Sequence, residues 1–176
     1  MSVISRIMHP YWRLTRGMTL GVRGVIVRDG NGSSMGEDRG SSGSDSSASD
    51  LQVLLIRHGY VPGWNFPGGG VEWRETLLTA LTREVEEESG VVITGTPDLH
   101  GIFANIDRMP SDHVAVYVIR HWEQPRVPAP NFEIAEQRFF PLSALPDDMS
   151  LGARQRIGEI FHQAPISEYW RESANA

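Results

Sequence analysis

The chain has 176 residues, of which 40% are hydrophobic, 22% charged and 9% aromatic, and its formal charge is −6. These proportions describe one ordinary globular domain with a real core and exclude a disordered or fibrous chain. Cysteine is absent and every basic residue is arginine, so disulfides, thiolate zinc sites and cysteine nucleophiles are excluded, and the acidic balance argues against a nucleic-acid partner.

In chain order, residues 1–16 read as an N-terminal extension whose apolar residues are interrupted by Arg6, His9, Pro10 and Arg13, without a signal-peptide core. Tyr11 and Trp12 are expected to pack against the sheet or a partner subunit, which leaves a homodimer open. No apolar run approaches about 18 residues, so no membrane span is expected and a cytoplasmic location is the default. Met18 to Arg28 and Leu51 to Arg57 alternate or cluster apolar residues as two strands. Between them, residues 29–50 hold five acids and one arginine among 13 Gly or Ser, so this stretch is expected to be a mobile surface loop on a long hairpin. A helix is expected over Glu75 to Ser89, ending at Gly90. Strands follow near Leu99 to Asn105, His113 to Trp122 and Gln137 to Leu142. A last helix runs over Leu151 to Gln163 with Ser150 as its N-cap. Strands interleaved with helices make this an α/β (α+β) layered domain with a mixed β-sheet, one domain over 1–176.

The dense chemistry lies in residues 69–91, GGVEWRETLLTALTREVEEESGV. On a helix, Glu84, Glu87 and Glu88 fall within an arc of about 100°. Like charges so spaced destabilise a helix by a few tenths of a kcal/mol per pair, and a hard divalent cation reverses the sign. Leu77, Leu78, Leu81 and Val85 form the neighbouring apolar stripe, and Glu86 points the other way.

This segment resembles the signature of the Nudix hydrolase family (MutT-like), usually written GX5EX7REUXEEXGU with U aliphatic. Gly69, Glu75, Arg83, Glu84, Val85, Glu87, Glu88, Gly90 and Val91 fill its nine specified positions, and the preceding FPGG, Phe66 to Gly69, is also common in the family. From average residue usage, the Gly, Glu and Arg positions alone match about once in 10⁸ starts. Trp73 and Arg74 stand where the family often has Pro-Gly, at positions that the signature leaves open. The resemblance implies an α/β/α sandwich and Mg²⁺-dependent hydrolysis of a diphosphate linkage in a nucleoside diphosphate joined to another group, with Mn²⁺ as substitute. It also implies that Glu84, Glu87, Glu88 and the Gly68 carbonyl hold the metal, and that Arg83 with Glu75 orients them. The general base is left among Glu84, Glu88, Glu133 and Glu136.

For a nucleotide-type small-molecule substrate, Gly68, Gly69 and Gly70 allow close backbone approach to phosphates. Arg57, His58, Tyr60, Trp64 and Asn65 are placed where a base or sugar could bind, with Arg57 and Trp64 the chosen candidates. His100, His113 and His121 show no metal spacing, and Phe139 and Phe140 read as core. Ile106 and Pro110 do not match the position of the ADP-ribose subgroup's marker proline, nor Arg108 and Met109 the tyrosine of the dinucleoside-polyphosphate subgroup. A nucleotide-sensing module without turnover is the alternative, and the intact carboxylates count against it.

Overall fold

The computed structural model describes residues 17–30, 32, 34, 51–107 and 109–171. The N-terminal extension with Tyr11 and Trp12, most of the expected 29–50 loop, and Arg108 lie outside the described residues.

Eight strands and two α-helices are described: β1 (Thr19–Arg28), β2 (Gln52–His58), β3 (Trp64–Asn65), α1 (Leu77–Ser89), β4 (Val92–Ile93), β5 (Asp98–Ala104), β6 (Asp112–Ile119), β7 (Trp122–Glu123), β8 (Ile134–Pro141) and α2 (Leu151–Phe161). The main sheet runs β3-β2-β1-β6-β5, with β8 also on β2, while β4 and β7 form a separate ribbon. It is mixed: β1 pairs in parallel with β6 over eight residues, and β2–β8 and β5–β6 are antiparallel.

Why the sheet sits between two helices follows from period-two alternation. Val25 and Val27 of β1, Val53 and Leu55 of β2, and Val114, Val116 and Val118 of β6 form one core with Ala153 and Ile157 of α2. The alternate residues Val22, Ile26, Leu54, Ala115 and Ile119 form a second core with Ala80, Leu81 and Val85 of α1. Both faces are buried, so these strands read as nearly continuous apolar runs. The expected α/β/α sandwich is the one observed. Phe140 packs against the first core and Phe139 against the second.

The expected β1–β2 hairpin is present but short. Only Val27↔Val53 and Arg28↔Gln52 pair. Earlier in β1 the place beside the strand is taken by the glycine segment: Val22 N–H donates to the Gly69 carbonyl (2.8 Å), Gly24 N–H to Pro67 (2.9 Å), and Val71 N–H to Leu20 (2.9 Å).

Helix α1 begins two residues later than expected. Thr76 is its N-cap, with its hydroxyl accepting from Thr79 N–H at 3.1 Å. Gly90 ends it at φ 71°, where a Cβ would lie 2.2 Å from the Arg126 carbonyl, so both conformation and space require glycine. Leu78 leaves the expected apolar stripe: it is 47% exposed, and Ala80 packs in its stead. Helix α2 stops at Phe161, and Ser150 caps it by accepting from Ala153 N–H.

The last described residues are fixed across β5 and α2. Ala104 N–H donates to the Glu168 carbonyl and Trp170 N–H to the Ala104 carbonyl, each at 2.9 Å. Beneath them fully buried Arg156 donates to Glu159 at 2.6 Å and to the Tyr169 carbonyl at 3.1 Å, while the other Glu159 oxygen lies 2.8 Å from His100 Nε2. His100 is thus a structural partner. Among the described residues no helix is long and apolar enough to cross a membrane.

Candidate functional site

The glycine segment lies against β1, and α1 crosses behind it. This brings the acidic residues of the helix to the backbone of Gly68 and Gly69. Gly68 N–H donates to Glu88 Oε2 at 2.6 Å. A Cβ on Gly69 would stand 2.4 Å from the Glu84 carboxyl carbon, so the missing side chain leaves room for that carboxylate. Gly68 has φ 135° and a hypothetical Cβ 2.2 Å from the Val22 carbonyl, which fixes it as glycine too.

Arg83 organises the acids around it. Its guanidinium meets Glu75 with two bonds, Nε to Oε1 and Nη2 to Oε2, both 3.0 Å. Nη1 donates to Glu84 at 2.8 Å and reaches Glu87 at 3.5 Å, and Nη2 reaches the Gly70 carbonyl at 3.3 Å. The paired fork is the strong form of charge-assisted bonding. Hydrogen bonds from Arg83 hold the Glu75 carboxyl below its ordinary pKa, and those to Glu75 and Glu84 raise that of Arg83.

Glu88 differs from its neighbours. It is only 5% exposed, and burial pushes its carboxyl up to about 7, with the charges of Glu84 and Glu133 adding to the rise; Gly68 N–H and the Arg23 cation oppose it. His58 Nε2 lies 3.9 Å from Glu88 Oε1. The imidazole is held below its ordinary value by burial and then by Arg23, against Glu133. A register shift between Arg57 and His58, in the β2–β8 pairing, sets His58 opposite Ile134.

Glu84, Glu88 and Glu133 line one cavity of about 460 Å³ together with Gly68, Gly69 and Gly70. Glu87 does not: its side chain is 63% exposed, and it lines a groove on the outer side of α1 with Arg126. Among the described residues no three acidic or histidine side chains converge tightly enough to hold a metal ion by themselves. The donor chemistry still fits a hard divalent cation. Mg²⁺ takes oxygen ligands and keeps waters and substrate oxygens in its shell, and it offsets the repulsion between carboxylates crowded into one cavity.

The other sequence candidates divide. Glu136 is ion-paired with Arg138 at 2.7 Å and is not among the residues lining the cavity. Trp64 is 4% exposed and packs edge-on to Phe140, so it belongs to the core. Arg57 stacks over Trp64 and bonds Asp148 at 2.7 Å, lining a shallow neighbouring depression. Sequence reasoning passed over Arg23, Asn105, Asp112 and Trp170, which also line the cavity. Asp112 accepts from Thr19 Oγ1 and Asn105 Nδ2, both at 2.7 Å. Arg23 within β1, Asn105 and Asp112 at strand ends and Trp170 beyond α2 are each isolated in sequence, with no local pattern that could have singled them out.

Comparisons with known proteins bear on the family and the fold. The chain is 38% identical over 68 residues to an ADP-ribose pyrophosphatase of Methanocaldococcus jannaschii, covering 37% of this chain and 40% of that one. It is 27% identical over 130 residues to an RNA pyrophosphohydrolase of Histophilus somni, covering 69% and 56%. The chain thus spans about half the length of the curated relatives it matches. The crystal structure of a MutT NUDIX hydrolase from Burkholderia pseudomallei superposes with a TM-score of 0.61 at 26% identity, over 82% of this chain and 98% of that one. The NUDIX domain family model matches residues 46–162, a span that holds the glycine segment, α1 and Glu133 alike, and the chain belongs to the NUDIX family.

Proposed function

We propose that the protein is a divalent-cation-dependent hydrolase that cleaves the diphosphate linkage of a nucleoside diphosphate joined to another group. The observation that carries this reading is the cavity in which Glu84, Glu88 and Glu133 face a glycine backbone. The single domain expected over 1–176 is part of the same reading.

Glu84 and Glu88 would hold the cation, with the Gly68 carbonyl as the further ligand that the family signature implies. Glu87 would join by turning from Arg83. When bound, Mg²⁺ or Mn²⁺ neutralises charge on the diphosphate and lowers the pKa of a water. The chain's own residues do the rest. Arg83, fixed by Glu75, keeps Glu84 in place over Gly69. The glycines let phosphate oxygens approach the backbone. Arg23 adds a cation to the same cavity. Glu133 is the carboxylate left to take the proton from the attacking water, and it is held by backbone bonds on both sides: its N–H donates to Asn131 Oδ1 at 2.8 Å, and its carbonyl accepts from Gly59 N–H at 2.9 Å.

The test is a panel of ADP-ribose, nucleotide sugars, dinucleoside polyphosphates and nucleoside triphosphates with Mg²⁺ or Mn²⁺, scored for phosphorylated products. Turnover of at least one member is expected, with Glu133→Gln slower by about 10²-fold or more. Tight binding of one member without turnover would replace this reading with a sensor.

A further inference from the structure

Glu133 lines the cavity from a loop, one residue before β8 begins, so its place is not set by a regular element. Residues 131–134 form a turn closed on itself. Asn131 N–H donates to the Ile134 carbonyl at 2.9 Å, and Asn131 Oδ1 accepts from Glu133 N–H and Ile134 N–H, both at 2.8 Å. These bonds fix the shape of the turn but not where it stands. Its place is set by the end of β2.

The β2–β8 pairing is regular from Gln52↔Pro141 to Arg57↔Glu136 and then slips, so that His58 faces Ile134 and Ala135 is left out of the register. A bulge of this kind bends the strand and re-aims the side chains beyond it. Directly after it, Gly59 N–H donates to the Glu133 carbonyl at 2.9 Å. A Cβ on Gly59 would stand 2.5 Å from the Phe132 carbonyl oxygen, whereas ordinary contact begins at 3.4 Å, so a side chain there would part the two backbones by about 0.9 Å. Gly59 is itself exposed, and what requires glycine is the closeness of the loop, not the packing of a core. The preceding residue, His58, lines the cavity with Nε2 3.9 Å from Glu88 Oε1. Two adjacent residues thus meet an acid of α1 and the backbone of the acid on the loop.

We infer that Gly59 is a positioning residue for the reaction: by letting the Phe132–Glu133 backbone close onto the end of β2, it sets the Glu133 carboxylate at its working distance from Glu84 and Glu88. This rests on the reading of Glu133 as the group that takes the proton from water. Such a group must come within about 2.6–3.2 Å of the oxygen it deprotonates, and a displacement of about 1 Å costs up to about 10²-fold in rate. A side chain at position 59 leaves α1 and the glycine segment in place, so it slows the chemical step without weakening substrate binding.

The experiment compares kcat and KM for the best substrate of the panel, with Mg²⁺ at saturation, in wild type, Gly59→Ala, Glu133→Gln and the double variant. Gly59→Ala should lose about tenfold or more in kcat while KM stays within about threefold. In the Glu133→Gln background the same substitution should cost less than about twofold, because the group it displaces is already gone. Gly63→Ala makes a similar clash on the neighbouring loop, with its Cβ 2.4 Å from the Asp148 carbonyl, and should keep kcat within about twofold. Wild-type kcat in Gly59→Ala, additive losses in the double variant, or an equal fall in Gly63→Ala would overturn the positioning role and leave that of Glu133 standing. An unimpaired Glu133→Gln would instead overturn the reading of Glu133, and this inference with it.

Discussion

At the scale of single residues, Glu88 carries the main tension in the site. Counting about 100° per residue, it lies between Leu77 and Leu81 in the middle of the buried arc of α1, whereas Glu87 falls outside that arc. This explains why one carboxylate is 5% exposed while the side chain of its neighbour is 63% exposed. The consequence is measurable in metal-free protein. An ordinary carboxyl near 4.5 in the unfolded chain is raised to about 7 on folding, so between these values the folded state binds more protons. Stability should therefore fall as pH rises from about 4.5 to 7 and level off above, by on the order of 3 kcal/mol. Urea midpoints in EDTA should show this slope in wild type and a flatter one in Glu88→Gln; equal slopes would refute the assignment.

At the scale of elements, α1 is the part written most clearly in the sequence. Its apolar period, Thr76 and Gly90 are local signals, and the structure follows them to within two residues. Gly90→Ala should destabilise the protein by about 2 kcal/mol, since it places a side chain at φ 71° and against the Arg126 carbonyl; denaturant unfolding measures it. The sheet was less legible. The strands β3, β4 and β7 have two residues each, too few to show a period. The parallel pairing of β1 with β6 joins residues about 90 apart, which no local pattern encodes. The β1–β2 hairpin was legible as a pair of strands, but its short register follows from the glycine segment competing for the same edge. In the site, the signature named Glu75, Arg83, Glu84, Glu87 and Glu88 together: Arg83 bonds Glu75 and Glu84, Glu84 and Glu88 line one cavity, and Glu87 lines the outer groove instead. Glu133 against Glu136 was undecidable from sequence, because the turn at Asn131 and the shift at His58 decide which of them faces the cavity.

At the scale of the molecule, the charge of −6 conceals an uneven distribution. Residues 69–91 and 29–50 each carry a net −4, leaving the remainder at about +2, all of it from arginine among the bases. Arginine suits both bidentate anion recognition and burial, and Arg156 shows the second use. Fully buried between Glu159 and the Tyr169 carbonyl, it joins α2, β5 and the C-terminal segment whose Trp170 lines the cavity. Removing it leaves buried Glu159 with His100 and the Ser167 N–H but without its cation, so Arg156→Ala should cost about 3–5 kcal/mol in chemical denaturation. A loss below about 1 kcal/mol would mean that the segment is not held by this pair.

The central claim is that the carboxylates facing the glycine backbone carry out diphosphate hydrolysis. Its most direct test is the initial rate of product release from the best nucleoside diphosphate derivative, with Mg²⁺ at saturation, for wild type, Glu84→Gln and Glu88→Gln. The structure predicts that both variants fall by about 10²-fold or more while remaining folded. Wild-type rates in both would contradict it.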